Sequence, residues 1–194
     1  MKLLGLTGGV GMGKSTAADF LRQRGLAVVD TDDLARRVVA PGQPAVREIA
    51  MTFGTHVVDS SGQLRRETLA EIVFADDVAR RRLEAILHPR IRELWLAETR
   101  RWRATGVAQG VVVIPLLFET GAEAEFDATL CLACSAATQR ERLVERGWSV
   151  EEAARRNRAQ WPVEKKMGRS TYVVWNEAGL AVLAAQLDRV LKQI

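Results

Sequence analysis

Eight consecutive residues, Gly8-Gly9-Val10-Gly11-Met12-Gly13-Lys14-Ser15, match the phosphate-loop pattern G-x-x-x-x-G-K-[ST] at every fixed position. Each residue type has a chemical reason to be there. Glycines let backbone N–H groups turn inward around phosphate oxygens, and the helix that follows adds the positive end of its dipole. Lys14 supplies a point charge for the β- and γ-phosphates, and the Ser15 hydroxyl is the expected ligand of Mg²⁺. Gly9, Gly11, Met12, Gly13, Lys14, Ser15 and Thr16 are therefore the candidate nucleotide-binding residues, with Ser15 as the metal ligand. No N-K-x-D motif that would select guanine occurs, so the expected nucleotide is ATP with Mg²⁺. Asp59-Ser60-Ser61-Gly62 has the D-x-x-G form of a GTPase, but its composition reads as a turn.

A second group of residues has the chemistry to act on a phosphoryl acceptor. Asp30-Thr31-Asp32-Asp33 closes an apolar run, at the strand edge where open α/β folds bind ligands. A carboxylate there can accept a proton from an attacking hydroxyl or hold a water on the metal. Asp33, ahead of Leu34-Ala35-Arg36-Arg37, reads as a helix cap, which leaves Asp32 as the residue to reach the acceptor. Farther along, Arg140, Arg142, Arg146, Arg155, Arg156 and Arg158 fall on two short predicted helices. An arginine delivered by a closing segment can stabilise the charge of the transferring phosphoryl group. Arg142 and Arg146, four apart on one face, are the expected phosphate contacts, and the others read as a solvated surface.

Apolar runs and helical patterns alternate along the chain, which implies βαβ units and a parallel sheet covered on both faces. Strands are predicted near Leu3–Thr7, Ala27–Asp30, Val111–Ile114, Ala128–Cys134 and Thr171–Trp175. A helix is expected from about Lys14 to Arg24, stopping at Gly25. Thr138-x-x-Glu141 and Ser149-x-x-Glu152 read as capping boxes, and a last amphipathic helix spans about Glu177–Lys192. Residues 34–110 are too many for a simple crossover and read as a helical acceptor-binding region. The expectation is one domain over 1–194, with a core at 1–33 and 111–194 and a lid at 138–168.

Bulk properties bound the rest. The chain has 194 residues, a formal charge of +4, and 28 basic residues of which all but five are arginine. That balance implies an anionic ligand. Nucleic acid is not favoured, since no aromatic residues interleave with the charge, and Trp95 and Trp102 share a helix face as core residues would. No apolar run suits a membrane span, and no leader precedes the first strand, so a cytoplasmic protein is expected. Cys131 and Cys134 point to opposite faces of one strand and read as two buried small residues. A monomer is expected because no long apolar surface helix calls for a partner.

Across nearly its whole length the sequence resembles the dephospho-CoA kinase family. The resemblance runs through Leu6-Thr7-Gly8 to Thr16, Val29-Asp30-Thr31-Asp32, Pro41-Gly42, Phe53-Gly54, Gly62-Gln63-Leu64-Arg65-Arg66, Leu87-His88-Pro89, Pro115-Leu116-Leu117-Phe118-Glu119, and Gln139-x-x-Arg142 with Arg146. Met12 replaces a small residue of the family, and Arg169-Ser170-Thr171 replaces the usual Ala-Asp, while Asn176 and Gly179 keep the pattern. The resemblance implies a three-layer α/β/α P-loop kinase fold with a five-stranded parallel sheet, a helical acceptor-binding insertion and a short lid. It implies transfer of the ATP γ-phosphoryl group to the ribose 3′-hydroxyl of dephospho-CoA, with Asp32 as base and Lys14 and Arg142 assisting. Thr7, Arg66, His88 and Pro115 would line or border the acceptor pocket. Leu87-His88-Pro89, taken by its residues alone, is a helix interruption, because proline disfavours helix at the residue before it. The remaining alternatives are another small-metabolite or nucleoside monophosphate kinase, and a nucleotide switch or nucleic-acid-binding ATPase.

Overall fold

The computed structural model describes residues 1–194, which form two compact units, one of 1–30 with 99–194 and one of 31–98. The first unit is built on five parallel strands, β1 (Lys2–Gly8), β2 (Ala27–Asp30), β3 (Gln109–Val113), β4 (Ala128–Ala133) and β5 (Tyr172–Trp175), in the order β2-β3-β1-β4-β5. β1 and β4 are apolar on both faces, as strands buried between two helical layers must be. One face of β1, Leu4 and Leu6, packs with Val111, Val113, Leu130 and Leu132 against α1 (Lys14–Gln23) and α9 (Leu180–Leu191) through Ala17, Leu21, Leu183 and Leu187. The other face is close to its cover. A Cβ on Gly5 would lie 2.6 Å from the end of Leu117, and one on Gly110 would lie 2.7 Å from the Trp102 ring, so a side chain at either position would force its neighbour to shift.

The chain passes from β1 through α1 to β2 and later returns on the other side of β1 with β4, so the sheet order reverses beside β1. Ligands of such sheets bind where the order reverses, at the carboxyl ends of the strands. The Gly8–Ser15 loop leaves β1 at that point. After β4 come α6 (Ala136–Glu145), α7 (Val150–Arg158) and α8 (Val163–Arg169).

The second unit is helical: α2 (Thr31–Val38), α3 (Pro44–Phe53), α4 (Arg66–Ala75) and most of α5 (Asp77–Ala104), around a core of Val38, Ile49, Val57, Leu69, Val73 and Ile86. Here two local expectations are corrected and one holds. β2 feeds α2 with no intervening residue, so Asp33 is not a cap but sits in the first helical turn, paired with Arg36 at 2.5 Å. α5 runs through Pro89 without interruption. Proline removes one N–H and crowds the carbonyl of Ala85, and the Arg90 guanidinium donates at 2.6 Å to the neighbouring carbonyl of Ile86. Asp59 does form a turn, its carboxylate accepting from the N–H groups of Ser61 and Gln63 at 2.8 and 3.0 Å.

Two more corrections concern the first unit. α6 begins ahead of Thr138, with Ser135 as cap accepting the Thr138 N–H at 3.2 Å. α9 begins at Leu180, after an extended Gly179, while the Glu177 carboxylate accepts from the Ser135 N–H at 2.9 Å and from the hydroxyls of Ser135 and Thr138 at 2.5 and 2.6 Å. Ser149 caps α7 as expected, accepting the Glu152 N–H at 3.1 Å. Both cysteines are free and buried, and burial raises the Cys131 thiol to about 11. Trp95 and Trp102 are buried. No helix is long and apolar enough to cross a membrane.

Candidate active site

The phosphate loop takes its shape from two glycines that nothing else could replace. Gly8 has φ 145° and a Cβ there would stand 2.3 Å from the Leu132 carbonyl oxygen. Gly13 has φ 94° and its Cβ would stand 2.1 Å from Nδ2 of Asn176. These positions combine a backbone conformation that side chains resist with a collision, so only glycine lets the loop close. Gly13 is also the residue before α1, which begins with Lys14, Ser15 and Thr16 and carries no acidic residue in its first turn. A helix N-terminus with no carboxylate in its first turn suits an anion.

Groups distant in sequence hold that shape. Asn176, buried at the end of β5, donates from Nδ2 to the Met12 carbonyl at 3.1 Å while its own N–H bonds the Ala133 carbonyl at 2.7 Å. Met12 is buried, and its thioether lies so close to Gly9 that a Cβ there would be 2.8 Å from the sulfur. Gln139 on α6 donates to the Val10 carbonyl at 2.7 Å and to Asn157 on α7 at 3.2 Å. The Lys14 ammonium donates to the carbonyls of Gly8 and Gly9 at 3.0 and 2.9 Å, which lays it across the loop. Ser15 is exposed on the first turn, with its hydroxyl open to a hard cation. The glycine cradle, the lysine and this hydroxyl fit a triphosphate with its divalent ion.

Of the two arginines expected to meet phosphate, Arg142 lies within α6, half-buried, with Nη1 buried and without a hydrogen-bond partner. Burial raises the Cys134 thiol, and the neighbouring Arg142 guanidinium offsets part of that rise. Arg146 falls on the C-cap of α6 and is exposed. Leu143, between them, packs so near Gly11 that a Cβ there would be 3.1 Å away. Arg156 leaves this group: it pairs with Glu152 at 3.2 Å and stacks on Trp148 at 4.4 Å.

The acceptor-side residues divide between the units. In the first, Thr7 is wholly buried and its hydroxyl donates to the Pro115 carbonyl at 3.1 Å, which ties it to Pro115. In the second, Asp32 is exposed in the first turn of α2 and Arg66 is exposed as the first residue of α4. His88 is half-buried on α5, where desolvation lowers its pKa against the smaller opposing pull of Glu84.

Sequence reasoning missed the supports. Lys166 is fully buried and bonds Pro115 and Glu119, and Glu177 ties the base of α6. Nothing in Glu164-Lys165-Lys166-Met167 separates a buried lysine from a solvated one. Asn176, a polar residue directly after the apolar strand Tyr172–Trp175, was the one readable signal.

Comparison with known proteins identifies the family of the chain. Residues 2–181 match the family model described as dephospho-CoA kinase. A dephospho-CoA kinase of Anaeromyxobacter dehalogenans is 47% identical over 195 residues, covering 100% of this chain and 92% of the relative. The crystal structure of TT1252 from Thermus thermophilus superposes with a TM-score of 0.85 at 36% identity, covering 100% of this chain and 97% of that one. The shikimate kinase of Acinetobacter baumannii has a TM-score of 0.55 at 15% identity over 100% of this chain and 92% of its own, a likeness of fold alone.

Proposed function

Because the chain belongs to the dephospho-CoA kinase family, we propose that it transfers the γ-phosphoryl group of ATP to the ribose 3′-hydroxyl of dephospho-CoA, giving CoA and ADP. The observation that carries the nucleotide half of this reading is the glycine cradle, closed where no side chain fits at Gly8 or Gly13 and followed directly by Lys14 and Ser15. The acceptor half is carried by the family match.

When bound, ATP supplies the phosphoryl group and Mg²⁺ offsets part of its charge. The residues of this chain do the positioning. The loop amides and Gly9, Gly11, Met12, Gly13 and Thr16 shape the phosphate seat, Lys14 brings a positive charge to it, and Ser15 offers the metal its hydroxyl. Asp32 accepts the proton of the attacking hydroxyl and orients it. Arg142, whose Nη1 has no partner within the chain, takes up charge on the transferring group, with Arg146 beside it at the helix end. Arg66, His88 and Pro115 border the acceptor, and Thr7 holds Pro115. The α6–α7 segment acts as the lid that keeps water from competing as acceptor.

An acceptor panel tests the reading. ADP release should require dephospho-CoA and Mg²⁺, and the product should be CoA. Equal turnover with AMP or a nucleoside would remove the proposed acceptor. Asp32→Asn should keep ATP binding while kcat falls by about 10²–10⁴-fold. Near-wild-type turnover in that variant would show that Asp32 is not the base.

A further inference from the structure

Lys166 has no solvent exposure, although its ammonium is strongly hydrated when free. Its Nζ donates to the Pro115 carbonyl at 2.6 Å and pairs with Oε1 of Glu119 at 2.9 Å. The same Glu119 oxygen accepts the Trp161 N–H at 2.8 Å, and the same Pro115 carbonyl accepts the Thr7 hydroxyl at 3.1 Å. Two acceptors thus collect the end of β1, the run that follows β3, the residue leading into α8, and α8 itself. Trp161 lies between α7 and α8 and Lys166 lies within α8, on the stretch that leads from the arginine segment to β5.

An ion pair in the interior is seldom worth more than apolar packing of equal volume, because desolvation offsets the attraction. What the pair adds is direction. An ammonium has three donors, and two of them here fix a carbonyl and a carboxylate at set distances. Oε2 of Glu119 is buried without a hydrogen-bond partner, so the carboxylate takes its orientation from Lys166 and Trp161 through Oε1.

We infer that Lys166 and Glu119 are positioning residues for phosphoryl transfer: they anchor the return of the α6–α7 segment and set the Pro115–Glu119 wall without touching either substrate. This inference rests on the kinase reading and adds to it two residues that act through others.

Lys166→Met keeps an unbranched, flexible side chain one atom shorter than lysine and removes its charge. The expected result is a folded protein with KM for ATP unchanged and kcat lowered by about 10–10²-fold, the penalty of a small misplacement. Glu119→Gln should give the same split. The double variant should lose little more than the worse single one, since residues acting as a unit are not additive. Amide hydrogen exchange provides a readout apart from activity: the Trp161 N–H and the amides of 159–169 should exchange faster in both variants, with protection of β1, β3 and β4 retained. Wild-type turnover and exchange in a folded Lys166→Met protein would overturn the inference. So would protection lost across the whole sheet with kcat and KM moving together, the mark of a merely structural pair. If Lys166→Met does not fold, Glu119→Gln decides between the same outcomes. A wild-type enzyme inactive on dephospho-CoA would sink the functional reading, yet the exchange result would still test the anchor.

Discussion

The phosphate loop and the α6–α7 segment touch, yet they are built in opposite ways. The loop is closed by buried groups that arrive from far along the chain: Asn176 on Met12, the Leu132 carbonyl against Gly8, and Leu143 against Gly11. α7 has no buried residue, and α6 buries only Leu143. The loop bonds are backbone carbonyls met by interior donors, whereas α7 is tied to α6 through Gln139 and Asn157, and its Arg156–Glu152 pair lies within the helix itself, on its surface. Surface pairs of that kind contribute about 0–1 kcal/mol. The contrast separates two tasks. A seat for phosphate must be fixed before the ligand arrives, while a segment that covers the reaction must open at low cost.

The sharpest way to break the rigid side is at its glycine. Gly13→Ala puts a methyl 2.1 Å from Asn176 Nδ2 at a positive φ, and ATP binding should be lost along with about 1–3 kcal/mol of stability. Calorimetric titration with ATP and a thermal melt check both. Undiminished affinity would mean that the cradle is not the seat. Lys14→Met leaves the backbone alone, so it should fold normally and lose about 10²–10³-fold in kcat, a charge effect without a shape effect.

On the α6–α7 side, the role proposed for Arg142 on charge that develops during transfer predicts that Arg142→Ala lowers kcat by about 10²-fold with KM for ATP little changed. Arg142→Lys should not restore it, since a point charge cannot replace the planar fork. Steady-state kinetics decides. A raised KM at unchanged kcat would move Arg142 from the transition state to ground-state binding.

This contrast also explains what was legible beforehand. The loop was readable to the residue because a positive φ demands glycine and phosphate demands Lys14 and Ser15, all within eight positions. The five strands were readable from their apolar runs, with ends shifted by a residue or two. Of the groups that hold the loop, Asn176 could be noticed as a polar residue after an apolar strand, but its contact with Met12 and that of Gln139 with Val10 could not be read, because they act across 164 and 129 positions of sequence. Local patterns also misled where a tertiary partner intervened. Thr138-x-x-Glu141 has the form of a capping box, but Ser135 holds the capping position, braced by Glu177. Pro89 signalled a break that the two turns on either side of it override.

The smallest expected effect lies at the joint between the two regions. Glu177 follows the Asn176 that clamps the loop and braces the base of α6, so one dipeptide serves both sides of the comparison. Hydrogen bonds from Ser135 and then Thr138 hold its carboxyl down at about 2, against an ordinary value of 4.5. A group depressed in the folded state stabilises that state fully above its unfolded pKa and loses the contribution as pH falls through the folded one. The brace should therefore be intact above about pH 5 and fade between there and pH 2. Glu177→Gln keeps an acceptor oxygen but no charge. Its melting temperature should lie below wild type at neutral pH, and the gap should close on acidification. A gap independent of pH would show that the carboxylate's charge contributes nothing, and that α6 is held at its base by neutral hydrogen bonds alone.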